Sequence, residues 1–585
     1  GNIKWSPPFS NSAVGREFLQ LTLDEGLTQY VNEATHFHGS LLDVVFGSDP
    51  YIVKDLKVAQ PLGTSDHFSV SFKLAEQLKR VSRHFYDFQH LHRCNWFLQS
   101  VNWNLVSEGC HSVETYWDAF STVLNFALEN FVRKYRQRGL RCVFPLRRDT
   151  RHALNSKKHS WNRFKTTGYR QYKNQYNRLA KHCHKLVVRD RQAYENSLCQ
   201  NREPKRFYKY VKSSLKRVDA VPAITDVNGM LVHDDIGKCA LFNEQYSSVF
   251  VRDNGVRCRM GPRSGYTLEN VHFTAPVVLK ALRRVSNSLA CGPDGYAPAF
   301  IRGIADNIVE PLCTIFTVSF YSGSVPKVWL DANIIPVYKR KGSVLSASSY
   351  RPIALTSVIS KVMERCVRDQ MLTYLLSHDL ISPNQHGFLP QRSTLTELIE
   401  TIGEWVANLE SGRAVDVIYF DLAKAFDTVV HSKLLQKCAA YGFKGPMFGF
   451  LKSFLLKRRQ RVVINESSST WADVISGVPQ GSVLGPLLFL LYVNDAPDAI
   501  ANSSMVLYAD DTKLSKSVVH CTNCCPQLQN DADNFFEWTS DCQLNLNEEK
   551  CQVIRVGSKH GKVLPSYTIN SVDIRVVPVI DDLGI

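Results

Sequence analysis

The 585-residue sequence lacks a long uncharged apolar segment. A membrane-spanning helix needs about 20 such residues, and the longest apolar run, from Pro486 to Val493, is much shorter. No secretory signal is recognisable in the first residues, and the chain has no internal repeat and no low-complexity tract. We therefore expect several globular domains, no membrane-spanning helix and an intracellular protein.

Paired cysteine motifs are also scarce. The 16 cysteines are scattered along the chain, and in an intracellular protein they are expected to remain reduced thiols. Cys521, Cys524 and Cys525 give the only zinc-like spacing. A single such group without a second pair of ligands is weak support for a metal site, so the sequence favours reduced thiols over structural zinc.

Acidic residues are nearly absent from one long segment. Residues 133–217 hold 26 Lys and Arg against 4 Asp and Glu, a net charge of +22. Since the whole chain carries a net charge of +16, the other residues together carry a net charge of −6. Aromatic residues such as Trp161, Tyr172 and Tyr176 are interleaved with the basic ones. Basic side chains neutralise phosphates and aromatic rings stack on bases, which predicts a nucleic-acid partner. A solvated helical linker whose aromatics form its own core is the alternative.

The pattern of apolar residues changes along the chain. Residues 1–75 alternate apolar and polar side chains around turns, and strands are expected over residues 41–46 and 68–74. Residues 76–220 have a helical pattern. Residues 226–229 predict a hairpin turn, followed by a helix around residue 244, and from about residue 270 helix and strand patterns alternate.

Three carboxylates stand out by their neighbours. Asp421 ends an apolar run, and Asp510 and Asp511 follow another. A strand that ends in an acid and a hairpin that carries two more can meet at one sheet edge, where the charges repel unless cations lie between them. Two Mg²⁺ ions about 3.5–4 Å apart activate an attacking 3′-hydroxyl and stabilise the leaving pyrophosphate. An Asp-Asp pair at a turn is more often a surface loop, so the prediction depends on the surrounding motifs.

Seven motifs spread over about 260 residues supply that context. They are residues 291–295 (Cys-Gly-Pro-Asp-Gly), 350–355 (Tyr-Arg-Pro-Ile-Ala-Leu), 387–394 (Gly-Phe, then Arg-Ser-Thr), 421–427 (Asp-Leu-Ala-Lys-Ala-Phe-Asp), 477–486 (Gly-Val-Pro-Gln-Gly-Ser-Val-Leu-Gly-Pro), 508–511 (Tyr-Ala-Asp-Asp) and 544–550 (Leu-Asn-Leu-Asn-Glu-Glu-Lys). In kind and order they resemble the motifs of reverse transcriptases from LINE-type (non-LTR), jockey-like retrotransposons.

The resemblance implies a right-hand polymerase of α+β class, with fingers and an antiparallel palm sheet. Its reaction would be the addition of dNTPs to a DNA 3′-end on an RNA template, with two Mg²⁺ ions, or Mn²⁺, as cofactors. By resemblance, Asp421 and Asp510 bind both ions and Asp511 supports them. The DNA primer or target would be chromosomal, and the protein would occur in the cytoplasm and the nucleus. The sequence leaves the oligomeric state open.

The resemblance also implies a set of nucleotide-binding residues. Phe426 would lie under the sugar and exclude a 2′-hydroxyl, and Gln480 would lie against the incoming nucleotide. Arg351 would stack over the base and contact phosphate, as a planar guanidinium can. Lys550 and one of three consecutive basic residues would contact the triphosphate; which of the three does so is open: Lys339, Arg340 or Lys341.

The opening of the chain resembles the end of the apurinic-type endonuclease domain of the same elements, of endonuclease/exonuclease/phosphatase type. By resemblance, His67 would face the scissile phosphate, Asp43 would orient His67, and Asp66 would lie near a metal ion. The remaining catalytic residues of that domain and the polymerase thumb would be missing, so DNA cleavage is not expected. The expected domains are residues 1–75 (endonuclease remnant), 76–262 (basic helical linker), 263–560 (fingers and palm) and 561–585 (start of the thumb).

Other functions fit part of this pattern. A group II intron maturase or a telomerase shares the polymerase chemistry, but the residues resembling an endonuclease and the motif at 291–295 argue against both. A catalytically defective element copy would act only as a nucleic-acid-binding protein. Intact acids at 421, 510 and 511 argue against decay of the palm.

Overall fold

The computed structural model describes most of the chain. The described residues are 3–5, 8–10, 12–24, 27–47, 53–61, 65–74, 84–88, 90–136, 144–200, 206–207, 210–211, 221–258, 260–518, 525–557 and 566–582. They belong to two compact units, the first formed by residues 1–85 with 135–139 and the second by residues 86–134 with 140–585. Cys521 and Cys524 of the zinc-like spacing lie outside the described residues.

The described residues of the first unit form antiparallel strand pairs and one helix. Its strand pairs are Ile3–Trp5 with Pro8–Ser10, Thr28–Gln29 with Phe46–Gly47, and Val53–Ala59 with Ser69–Leu74, and its helix is Ala13–Asp24. The strand predicted over residues 68–74 is confirmed. The strand predicted over residues 41–46 is wrong for most of its length, because the Leu42 and Asp43 N–H groups donate to the Thr35 hydroxyl instead of to a neighbouring strand.

The second unit is rich in helices. They are His92–Ser100, Trp103–Val106, Val113–Phe131, Arg148–Thr167, Arg170–Gln200, Asp235–Ser247, Ala275–Arg283, Pro298–Gly303, Ala305–Ser322, Lys327–Leu330, Val358–Ser377, Thr394–Glu410, Ala425–Thr428, His431–Ala440, Gly445–Leu455, Gly485–Val493 and Pro526–Asp541. Short 3₁₀ turns occur at Ala347–Ser349, Ala496–Ala499 and Glu548–Lys550. Among the described helices, none is both long and apolar enough to cross a bilayer.

A five-stranded sheet, here called the palm sheet, carries the acids. Its strands lie in the order Ser504–Tyr508, Asp511–Val518, Ala414–Asp421, Gln552–Val556 and Arg575–Val576, antiparallel except for the last pair. One face packs against helix Pro526–Asp541, with the rings of Phe420 and Phe535 4.7 Å apart. On the opposite face, Lys513 lies 2.5 Å from Glu397 of helix Thr394–Glu410.

A second mixed sheet, here called the fingers sheet, lies in the same unit. Strand Asp331–Tyr338 pairs antiparallel with Tyr350–Leu355 and parallel with Arg458–Ile464, which also pairs with Ser467–Ser468 and Ala472–Val474. Helix Asp235–Ser247 covers one face, where Phe242 packs edge-on against Tyr350. The hairpin predicted at residues 226–229 joins strands Ile224–Thr225 and Leu231–Val232, and it is confirmed together with the helix that follows.

The largest hydrophobic core joins helices from distant parts of the chain. Helix Val113–Phe131 contributes Trp117, whose ring packs edge-on against Trp329 at 5.3 Å. Residues 91–132, predicted as part of a linker, therefore pack into the same core as the helices after residue 270. The apolar helix Gly485–Val493 is buried on all sides.

The basic segment forms a helical hairpin. Helix Arg148–Thr167 ends at Gly168, whose φ of 71° turns the chain into helix Arg170–Gln200. Asp190 is buried and accepts hydrogen bonds from the Arg147 N–H at 2.8 Å and the Thr150 hydroxyl at 2.6 Å. The second helix thereby holds the start of the first.

Candidate active site

The palm sheet brings the three aspartates together. Asp421 ends its strand directly opposite Asp511 in the antiparallel register. Asp511 in turn pairs with Tyr508 at the base of a two-residue turn formed by Ala509 and Asp510. Ala509 has a φ of 58°, as the first position of a type II′ hairpin turn requires. Asp421 and Asp511, which are 90 positions apart in sequence, thus meet at one end of the sheet, as the strand-end pattern predicted.

These acids interact unfavourably with one another. Burial, and then the charge of Asp421, raise the pKa of Asp510. Partial enclosure in the cleft, followed by the charges of Asp510 and Asp421, raises the pKa of Asp511 to about 6. Both shifts mean that ionisation of the cluster is costly unless a cation accompanies it.

The donor set suits a hard divalent cation, because Mg²⁺ prefers carboxylate oxygens and retains water and phosphate ligands. The Lys550 ammonium lies 3.1 Å from Asp421 and offsets part of the charge. Among the described residues, one group of three ligating side chains has all its donor atoms within 4.8 Å: His36, Asp66 and His67, in the first unit. The carboxylate oxygens of Asp421, Asp510 and Asp511 therefore do not all lie within 4.8 Å of one another.

A cavity of about 410 Å³ adjoins Asp421. Four of the predicted nucleotide-binding residues line it: Lys339, Arg351, Gln480 and Lys550. Burial, and then the positive charges of Lys424, Arg351 and Lys550, lower the pKa of Lys339. The cavity therefore combines a cationic wall with the carboxylate edge, which fits a bound polyphosphate that carries metal ions.

The three consecutive basic residues are placed differently. Lys339 lines the cavity and donates to the Ser348 carbonyl at 2.7 Å. Arg340 has a φ of 60° in the following turn and does not line this cavity. Lys341 lines a neighbouring cavity of about 370 Å³ together with Asp511 and Lys550.

Gln480 has a partner that the sequence did not reveal. Its amide nitrogen donates to the Asp427 carboxylate at 2.9 Å. Burial above all raises the pKa of Asp427 to about 6, against the lowering effect of the Gln480 hydrogen bond. Asp427 is the last residue of the motif at 421–427, yet no role was predicted for it, because its contact with Gln480 spans 53 residues of sequence.

Phe426 lies between two other rings. It stacks on Phe489 with centroids 4.4 Å apart and meets Phe388 edge-on at 6.2 Å. It is half-buried and does not line the cavity of about 410 Å³. The structure thus places this ring against the helix that follows the motif at 477–486.

Backbone contacts tie the motifs to one another. The Ala354 N–H donates to the Gln480 carbonyl, and a Cβ at Gly481 would lie 2.7 Å from the Ala354 carbonyl oxygen. The Asn547 N–H donates to the Asp421 carbonyl. A Cβ at Gly292 would lie 2.5 Å from the Thr356 carbonyl oxygen, directly after the strand that carries Arg351. The glycines of these motifs are thus needed for close backbone approach.

The first unit contains the other predicted group. The Asp43 carboxylate accepts from His67 Nδ1 at 2.6 Å, and this bond lowers the pKa of Asp43 and raises that of His67. Asp66 lies 3.3 Å from Nε2 of His36. His36 was not predicted, and its spacing from Asp66 in sequence gives no signal for this contact.

Comparisons with known proteins agree with this geometry. Residues 338–569 match the family described as reverse transcriptase (RNA-dependent DNA polymerase). The chain is 28% identical over 435 residues to the RNA-directed DNA polymerase from mobile element jockey of Drosophila melanogaster, an alignment that covers 70% of this chain and 47% of that protein.

Two further relatives are similar over shorter stretches. The probable RNA-directed DNA polymerase from transposon X-element of Drosophila melanogaster is 25% identical over 372 residues, 62% of this chain and 41% of that protein. The jockey polymerase of Drosophila funebris is 30% identical over 290 residues, 47% of this chain and 31% of that protein. The chain thus spans about half the length, or less, of the curated relatives it matches.

Proposed function

We propose that this chain is an RNA-directed DNA polymerase of a retrotransposon, because residues 338–569 match the reverse transcriptase family and the chain is similar to an RNA-directed DNA polymerase from mobile element jockey. The observation that carries the proposal is the pairing of Asp421 with Asp511 beneath the Asp510 turn, beside a cavity lined by cationic residues. The proposed substrates are dNTPs, an RNA template and a DNA 3′-end.

The proposed mechanism assigns each acid a part. Asp421 and Asp510 would hold two Mg²⁺ or Mn²⁺ ions, and Asp511 would support them from the adjacent strand. The bound ions supply the chemistry that activates a 3′-hydroxyl and stabilises the leaving pyrophosphate. The chain itself contributes position and charge, which provide most of the catalysis in phosphoryl transfer.

The cavity residues are proposed to hold the incoming nucleotide. Arg351 lies over its base and contacts phosphate, while Lys339 and Lys550 bind the triphosphate. Gln480 lies against the nucleotide, with its carboxamide held by Asp427, whose carboxylate accepts from the amide nitrogen and so leaves the carbonyl oxygen for the ligand. Phe426 is proposed, on the resemblance alone, to select deoxynucleotides by excluding a 2′-hydroxyl; its ring stacks on Phe489 and does not line the cavity.

The basic hairpin is proposed to bind nucleic acid through phosphates. Many of its basic residues are exposed, and such side chains release counterions when they neutralise a phosphate backbone. Residues 1–75 are proposed to derive from an apurinic-type endonuclease and 263–560 to be fingers and palm. Within the predicted linker at 76–262, the hairpin at 144–200 is proposed as the basic nucleic-acid-binding part, because residues 91–132 pack into the core. Residues 561–585 are proposed to lead from the palm sheet into a thumb. We place the protein in the cytoplasm and nucleus.

The substitution Asp510→Asn tests the metal assignment. Loss of one carboxylate should abolish Mg²⁺-dependent dNTP incorporation on a primed RNA template and leave RNA binding unchanged, because the cluster loses a ligand but no cationic residue. Primer extension and RNA binding are measured in parallel. Asp533→Asn, on the exposed surface of helix Pro526–Asp541, is the matched control and should retain activity.

Two outcomes would contradict the proposal. Primer extension by the Asp510→Asn variant would show that the metal assignment is wrong. Tight RNA binding by the unaltered chain without any extension would instead support a protein that only binds nucleic acid.

A further inference from the structure

The Gln385 side chain contacts the backbone of the turn formed by Ala509 and Asp510. Gln385 is fully buried, and its carboxamide oxygen accepts from the Ala509 N–H at 3.0 Å and from the Gly387 N–H at 2.7 Å. Since both partners are N–H donors, the oxygen of the amide must face them. The Gln385 oxygen thus binds the residue that immediately precedes Asp510.

The turn needs such support because of its backbone conformation. Ala509 has a φ of 58°, in the left-handed region that favours glycine. A residue other than glycine remains there only when its surroundings hold it. Gln385 provides a fixed acceptor for the Ala509 N–H, which would otherwise be a buried donor without a partner.

The segment around Gln385 is itself anchored to the hairpin. The His386 N–H donates to the Leu507 carbonyl at 2.8 Å, and the Leu507 N–H donates to the Asn384 carbonyl at 2.9 Å. A Cβ at Gly387 would lie 2.6 Å from the Ala509 nitrogen. The segment at 384–387 thus forms an isolated parallel bridge, between Gln385 and Leu507, along the edge strand of the hairpin, and glycine at 387 permits the approach.

From these contacts we infer that Gln385 is a positioning residue for the metal-binding turn, acting through the Ala509 N–H to fix Asp510. The inference deepens the proposed polymerase function and rests on it for the role of Asp510. Gln385 touches neither a reacting atom nor the nucleotide cavity. Replacing Gln385 should therefore lower metal affinity and kcat and leave the KM for dNTP unchanged.

Gln385→Met removes the acceptor and keeps the length of the side chain. The matched control is Asn494→Leu: Asn494 is also a buried amide, and it bonds the nearby Ser382 N–H and Leu380 carbonyl without touching the turn. Three quantities are measured for both variants: amide hydrogen exchange at Ala509, Mn²⁺ affinity in the absence of substrates, and the thermal unfolding midpoint.

We expect Gln385→Met to speed exchange at Ala509 at least tenfold and to weaken Mn²⁺ binding by roughly 10- to 100-fold, the range seen when residues that orient metal ligands are removed. In active protein, kcat should fall while the KM for dNTP stays within twofold. Asn494→Leu should lower the unfolding midpoint and leave Mn²⁺ binding and exchange at Ala509 as in the unaltered chain.

The failures of the two proposals can be told apart. If Gln385→Met lowers the unfolding midpoint but leaves Ala509 exchange and Mn²⁺ affinity unchanged, Gln385 is merely structural and the inference is overturned. If the unaltered chain binds no Mn²⁺, the metal assignment under the proposed function fails, while Ala509 exchange still decides whether Gln385 holds the turn.

Discussion

A buried carboxylate beside the proposed nucleotide cavity reduces the stability of this fold. The pKa of Asp427 is raised to about 6, chiefly by burial, whereas an unfolded aspartate titrates near 4. The folded state therefore binds the proton more tightly than the unfolded state does. Stability is lost as the pH rises from about 4 through about 6, because ionisation then costs more in the folded chain.

We predict that Asp427→Asn stabilises the protein at neutral pH. Asparagine keeps an acceptor for the Gln480 amide and removes the ionisation cost, so the free energy of unfolding at pH 7 should rise by up to about 3 kcal/mol. Denaturant unfolding at pH 7 and at pH 4 measures this. An equal gain at both pH values would show that the effect is not ionisation.

Mn²⁺ affinity should increase as the pH rises, whereas the stability contributed by Asp427 decreases. The pKa of Asp511 is raised to about 6, and a protonated carboxyl is a poor ligand. We predict that Mn²⁺ affinity is highest above pH 7 and declines as the pH falls below about 6. Titrations between pH 5 and pH 8 measure it, with Asp511→Asn as the comparison. A flat profile for the unaltered chain would contradict the prediction.

Residue types and order in the sequence predicted the site only in part. Strand ends and hairpin chemistry, which are local properties, allowed Asp421 to meet the 510–511 turn, and the resemblance of the surrounding motifs made that meeting the expectation. The contacts of Gln480 with Asp427 and of Gln385 with Ala509 did not, since they depend on how distant segments pack. The catalytic and binding roles of these residues remain predictions.

At the scale of single elements, the basic hairpin depends on one buried acid. Burial alone would raise the pKa of Asp190, but hydrogen bonds from Thr150, the Arg147 N–H and Arg189 outweigh it and lower the pKa to about 2. The stability that this acid contributes is present above about pH 4. It is lost as the pH falls from there towards 2.

We predict that Asp190→Ala loosens the hairpin. Two donors, the Arg147 N–H and the Thr150 hydroxyl, would lose their acceptor, at a cost of about 1–3 kcal/mol each if they stay buried. Limited proteolysis and amide exchange over residues 144–200 should reveal faster opening there, with exchange in the palm sheet unchanged. The exposed Asp533→Asn is again the control.

The sequence left open whether the aromatic residues of the basic segment bind nucleic acid or pack within the segment itself, and the hairpin answers this in part. Trp161 and Tyr176 pack with centroids 4.9 Å apart, and Lys165 lies over the Trp161 ring. These two half-buried rings thus pack against each other within the hairpin, whereas Tyr169 at its tip is 63% exposed. The sequence predicted helical structure over residues 76–220 but no hairpin, and spacing alone could not show which rings would be used in packing.

Across the whole molecule, the basic surplus should govern affinity for nucleic acid. Replacing exposed basic residues of the hairpin should weaken RNA binding and flatten its salt dependence, by somewhat less than one unit of log–log slope for each phosphate that is no longer neutralised. The test variant replaces four with Gln: Lys158, Arg178, Lys181 and Lys185. The control variant makes the same charge change elsewhere in the second unit: Lys280, Lys327, Lys444 and Lys452.

Filter binding across a range of salt concentrations compares the two variants. An unchanged salt slope in the hairpin variant would favour a solvated linker over a nucleic-acid contact. Equal weakening of RNA binding in both variants would show that the surplus acts as a diffuse charge and not as a defined surface.

The buried helix Gly485–Val493 has a consequence for biosynthesis. The residues that contact this helix lie both before and after it in the chain. Glu364 accepts hydrogen bonds from the Val483 and Leu484 N–H groups at its start, and the Tyr492 hydroxyl donates to the Cys542 carbonyl. A nascent chain therefore displays its most apolar stretch for some 50 residues of translation before Cys542 emerges. Ribosome-associated chaperones should bind there, and arrested chains from which this helix has left the ribosome while Cys542 has not should crosslink to them more strongly than chains from which neither or both have left.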